Sequence, residues 1–141
     1  MSYREKLAWL SLAAMALTFG PYFAVAYRAT LMNRPMPNLG LLGLYAIAAA
    51  VQMVIQGAGR WWFRRKERRE GVLTVDERDR VIEYRSMRAA YFVLIAGMIL
   101  VGCVMPFSAG GWKIVNAALL MIVAAEIVHY GAVVVSYRRY A

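Results

Sequence analysis

A chain of 141 residues has room for one domain, and with 62% apolar side chains it cannot hide that surface inside a water-soluble globule. Lipid has to cover much of it. Seventeen basic against eight acidic side chains give a formal charge of +9, but the cations crowd into one stretch, the pattern of a charged membrane flank rather than of a nucleic-acid-binding fold.

The first apolar run, Leu7 to Tyr27, follows Arg4 and Lys6. About twenty residues of helix cross hydrocarbon roughly 30 Å thick, so we read it as a span, with Pro21 kinking its outer half. Its charged start and the Ala24-Val25-Ala26 segment also have the form of a secretory signal with a cleavage site. The length of the apolar run favours a retained span.

The second run, Leu39 to Gly59, carries Gly40, Gly43, Ala46, Ala50 and Gly57 as a stripe of small residues. Such a seam lets helix backbones approach closely, so the stripe is expected to pack inside the protein. Gln52 and Gln56 share a face at i,i+4.

Residues 60–88 form the one long loop. It opens with Arg60, Trp61, Trp62, Phe63, Arg64, Arg65, Lys66, Glu67, Arg68, Arg69, Glu70 and Gly71. The aromatic rings belong among lipid headgroups and the cations against anionic lipid, each contributing about 1 kcal/mol near such a surface. Gly71 is a natural helix stop. Thr74, Val75, Asp76 and Glu77 then have the form of a capping box, and an acidic first turn suits the helix dipole. Nothing from there to Phe107 breaks a helix. The third span, Ala89 to Phe107, is therefore expected to be the membrane half of one rod whose solvent half carries an Asp76 and Arg80 pair. Val81, Ile82 and Met87 give that half an apolar side which needs a cover. The lone Cys103 in this span excludes an intramolecular disulfide and a zinc site built on paired thiols.

The run Asp76-Glu77-Arg78-Asp79-Arg80-Val81-Ile82-Glu83, with Arg85 and then Ala89-Ala90-Tyr91 and an apolar span, resembles a motif of small prokaryotic four-helix membrane proteins known as domains of unknown function. There an Asp-Glu-Arg run likewise leads into a transmembrane helix. The resemblance covers about thirty residues and implies an architecture, not an activity.

The fourth span, Ile114 to Tyr137, places Glu126 about twelve residues from either end. A charged carboxylate at that depth costs at least about 2.5–3.5 kcal/mol, so it must be protonated, paired or turned to a wet interior. His129 and Tyr130 share its face with Val133 and Tyr137. Gln52 and Gln56 lie at a similar depth to His129, so Glu126, His129, Tyr130, Gln52 and Gln56 are expected to meet as an intramembrane polar site or as interhelical glue. Ala118, Ala125 and Ala132 make a second small seam. Glu126-x-x-His129 is the spacing used in di-iron bundles, but those need two such helices and further glutamates. A symmetric dimer would double the set, which keeps metal or haem ligation through His129 as a third alternative; the expectation is no metal and no cofactor.

Fourteen of the seventeen cations flank one side of the four runs, with Arg28, Arg34 and Lys113 on the other. The positive-inside bias therefore predicts both termini and the loop in the cytoplasm. The expected fold is all-α: an integral membrane four-helix bundle, N-in and C-in, in a prokaryotic inner membrane. There is no nucleotide loop, nucleophile elbow or metalloprotease motif, so no enzymatic activity is expected. The expected role is that of a non-catalytic accessory or regulatory subunit. It would act through anionic lipid, a second copy (a dimer foremost) and a protein partner at the loop, with no nucleic acid. The alternative is a small ion or proton-coupled transporter centred on Glu126 and His129.

Overall fold

A computed structural model describes residues 3–32, 39–70 and 77–139. Four long helices account for nearly all of them: α1 (Tyr3–Leu31), α2 (Leu39–Glu70), α3 (Glu77–Ile99) and α4 (Gly111–Arg139). Each belongs to a helical stretch of 28 to 31 residues with an apolar window inside it, about 42 Å or more at 1.5 Å per residue. All four are long and apolar enough to cross a membrane. The capping residues Thr74 to Asp76, the stop at Gly71 and Arg34 lie outside the described residues.

Pro21 sits inside a continuous α1. The expected single rod from residue 76 to Phe107 is corrected at its far end. The α-helix stops at Ile99 and passes into a π-helical turn, Leu100–Val104, and a 3-10 turn, Met105–Phe107. Pro106 explains the change: it donates no hydrogen bond and its ring collides with the carbonyl one turn back, so the i to i+4 ladder cannot run through it.

The four helices alternate in direction. Arg4 at the start of α1 meets Asp79 at the start of α3, and Asp79 meets Tyr137 at the end of α4. We call this the basic end. Helix α1 packs on α2 and α4, and α4 packs on α3, while α2 and α3 make no close backbone approach among the described residues. The result is a bundle open along one side. Its most enclosed helix is α1, with 33% of its apolar window buried against 11% for α3. The buried positions Ala8, Ser11, Met15, Phe19, Tyr22, Ala26 and Ala29 recur every three or four residues along α1, the signature of one helix face turned inward.

Close approach is concentrated at two glycines. A Cβ at Gly59 on α2 would land on Leu10 of α1, and one at Gly97 on α3 would lie 2.7 Å from Met121 Cγ of α4. The alanine seam of α4 faces inward as expected, with Ala125 buried and Ala118 and Ala132 half-buried. The stripe on α2 does the reverse: Gly40, Gly43, Ala46, Ala50 and Gly57 are all exposed. A Cβ at Gly43 or Gly57 would meet nothing within 4 Å. Leu41, Tyr45, Ala48 and Gln52 form the inward face instead, because α1 meets the side of α2 that offers larger side chains to fill the seam.

Candidate functional site

At the basic end, i,i+4 spacing puts Asp79 and Glu83 on one side of α3, facing the starts of α1 and the end of α4. The Arg4 guanidinium donates to the Glu83 carboxylate and, at 3.4 Å, to the Asp79 carbonyl, with its Nε 3.8 Å from Asp79 Oδ2. The Tyr137 hydroxyl donates to the other Asp79 carboxylate oxygen. One turn on, the Ser86 hydroxyl donates to the Glu83 carbonyl at 2.8 Å. Ile82 is buried between these groups. Partial burial alone would lower the Arg4 pKa. The hydrogen bond and charge of Glu83 and the charge of Asp79 outweigh it and hold the pKa above its ordinary value.

Beneath this clasp lies a recess of about 160 Å³ whose walls include Arg4, Arg60, Arg64, Asp79, Glu83 and His129. A second opening, about 320 Å³, lies along α3 and α4 on the side where α2 stands apart from α3, with Arg60 as its one lining residue from α2. Arg60, Met87, Tyr91, Leu94, Glu126 and His129 line it. Arg60, His129 and Tyr130 belong to both. The missing α2–α3 seam is thus a groove that runs from the basic end toward the middle of α4.

Glu126 is exposed in that groove and has no hydrogen bond or ion pair among the described residues. His129 is half-buried, its Nδ1 is buried without a partner, and its ring lies edge-on to Tyr130 at 4.8 Å. The buried Tyr130 donates its hydroxyl to Gln56 Oε1 at 3.3 Å. Gln52 goes elsewhere. Its Nε2 donates to the Ser11 carbonyl at 3.4 Å, and its Oε1 accepts from the Thr18 hydroxyl at 3.3 Å. The five expected polar residues therefore divide. Tyr130 joins Gln56, His129 and Glu126 line the groove, and Gln52 is a buried link to α1. The reason is rotational: Gln52 sits squarely on the α1-facing side of α2, while Gln56 lies far enough round to reach α4.

The other charged residues named from sequence are spread over the surface. Arg60, Trp61, Trp62, Arg64, Arg65, Lys66, Arg68 and Arg69 are exposed along a continuous extension of α2, with the Arg65 guanidinium 5.1 Å from the Trp61 ring. Glu77, Arg78, Arg80 and Arg85 are exposed on α3, and Asp76 lies outside the described residues. Arg138 stacks over Trp9 at 5.4 Å.

Two contributors were not legible as such. Arg4 reads in the sequence only as a flanking charge, although Tyr137 is signalled by sharing a face with Glu126 and Tyr130. At the opposite end Tyr22 donates to Asn116 Oδ1 at 2.8 Å, beside a cluster of Phe19, Tyr22 and Tyr45. No spacing signal connects those helices. Among the described residues no group of three or more His, Cys, Asp or Glu is placed to hold a metal ion. No protein-family model matches the chain, no curated protein matches it in sequence, and no solved structure matches its fold.

Proposed function

We propose that this chain is a four-span inner-membrane protein, N-in and C-in, which acts as a non-catalytic accessory or regulatory subunit through protein partners. The observation that carries the reading is the uncovered side of α3 at the basic end. Val81, Tyr84 and Met87 are 48%, 67% and 58% exposed, among the exposed Arg80, Arg85 and Arg88. The acidic side of the same helix is engaged within the chain by Arg4 and Tyr137. What is left facing outward is apolar and predominantly basic, with Glu77 also exposed there, which fits a partner that offers apolar anchors and acidic groups. The outward Gly and Ala face of α2 suits close packing against a second copy. The likeness of the Asp76 to Tyr91 stretch to prokaryotic domains of unknown function agrees with this placement and belongs to the same proposal.

A photo-reactive amino acid in place of Tyr84, activated in native membranes, tests the reading. We expect a discrete adduct with one protein, lost when Arg85 and Arg88 are both changed to Glu. Adducts with lipid alone, together with an unchanged phenotype in the double variant, would overturn it.

A second reading, ion or proton-coupled transport, is favoured by the unpaired Glu126 in a groove that shares Arg60, His129 and Tyr130 with the recess under the clasp. Proteoliposomes containing the native chain or Glu126→Gln decide it. Equal flux through both removes the carboxylate from any transport role.

A further inference from the structure

We infer that the groove between α2 and α3 is a binding site for an amphiphilic organic cation, a protonated amine or quaternary onium carried on an apolar body, with Glu126 as its counter-ion. The inference concerns binding alone and holds whether or not the chain works through a protein partner.

The groove holds one carboxylate, and nothing among the described residues satisfies it. Glu126 sits fifteen residues into α4 of Gly111–Arg139, far from either end; on the four-span reading proposed above, on which this inference rests, neither water nor a helix terminus stabilises a negative charge there. A cation from outside the chain would pair with an ionised carboxylate there. The walls fit the rest of such a ligand. Met87, Ala90, Leu94 and Ala125 are apolar, and Tyr91 and Tyr130 add aromatic residues to the same lining as Glu126, a combination suited to onium groups. Because α2 and α3 do not meet, the groove opens sideways. An amphiphile already dissolved in lipid reaches Glu126 without crossing the charged surface.

The size limits the occupant. About 320 Å³ accepts a small molecule but not a helix, whose side chains and backbone need roughly 10 Å of width along its length. Arg60 caps the groove toward the basic end and is itself engaged within the chain. The part lined by Glu126 and His129 is left as the place for positive charge. His129, with its buried Nδ1 unpartnered, adds its ring to the same pocket.

Tetraphenylphosphonium and tetraphenylborate, nearly the same shape and opposite in charge, test the idea with the full chain in lipid nanodiscs. We expect one saturable phosphonium site per chain and no saturable borate site. Glu126→Gln should weaken phosphonium binding at least about tenfold, with an unchanged melting temperature to show that the variant is folded. Tyr91→Ala, at a position already 59% exposed, should weaken it several-fold. Equal phosphonium affinity for Glu126→Gln and the native chain would overturn the inference. So would preference for the borate, which would give the groove to anionic lipid through Arg60. Absence of saturable binding, with Leu94→Cys cross-linking two copies, would give it to a second chain instead.

Discussion

Tyr137, in the last turns of α4, donates its hydroxyl to the carboxylate of Asp79 in the first turn of α3, 58 residues earlier in the chain. Arg4 of α1 approaches the other side of the same carboxylate. One acidic residue thus ties three helices at the basic end, where all three would otherwise fray into solvent.

This clasp is worth a modest amount because it is only partly buried. Tyr137→Phe and Asp79→Ala are each expected to lower unfolding free energy by about 1 kcal/mol. The double variant should cost clearly less than the sum, since both changes remove the same bond. Reversible unfolding in mixed micelles measures the cycle, and strict additivity would show that the two side chains do not interact.

The Arg4 interaction has a defined pH signature. Its pKa is raised in the folded chain, so its stabilisation is fully present below the ordinary arginine value and is lost only as pH rises through the folded one. No dependence attributable to Arg4 is expected from neutral to moderately alkaline pH. If the stability difference between the native chain and Arg4→Gln changes across that range, the cation is not held as described.

Gly97 is a packing position. A Cβ there would lie 2.7 Å from Met121 Cγ and Sδ and 2.9 Å from its Cβ, closer than van der Waals contact allows. Gly97→Ala should destabilise by about 1–3 kcal/mol through overpacking at the α3–α4 seam. Met121→Ala in the same chain should restore part of the loss. A Gly97→Ala variant as stable as the native chain would mean that α3 and α4 sit further apart.

The two glutamines should respond differently. Gln52 is 6% exposed and bonded to two α1 residues, whereas Gln56 is half-buried and accepts one bond from Tyr130. Interhelical hydrogen bonds in membranes average about 0.6 kcal/mol, so Gln56→Ala and Tyr130→Phe should each cost about that much. Gln52→Ala should cost more, because it also leaves a cavity in the α1–α2 seam. Thermal unfolding of the three variants ranks them.

Glu126 should be dispensable for folding. It makes no hydrogen bond or ion pair among the described residues, and a charged group at mid-span is costly. Glu126→Leu is therefore expected to unfold at the same temperature as the native chain or a higher one. A marked drop would reveal an intermolecular contact to Glu126 that persists in the purified protein.

What sequence could and could not say divides along physical lines. Hydropathy is a local sum, so four apolar runs and their approximate ends follow from composition within windows of about twenty residues. The small residues show the limit. The α2 stripe and the α4 seam look alike as patterns, yet Gly43 and Gly57 face outward and Ala125 inward. A helix that is apolar all round carries no periodic label for its protein-facing side, and nothing in the pattern distinguishes the exposed Leu17 or Met53 from a buried neighbour. Asp79 and Glu83 read as a solvated face because their partner, Arg4, lies 75 or more residues away.

The sequence by itself determined the four apolar helices, the arginine-rich end and the presence of an isolated carboxylate midway along the last helix. Tertiary structure alone decided that α1 lies innermost, that α2 and α3 stand apart, and that Glu126 opens into the gap between them. Burial in hydrocarbon depends on each residue's own chemistry, whereas helix rotation and pairing depend on the summed fit of side chains across seams, which becomes defined only when the helices meet.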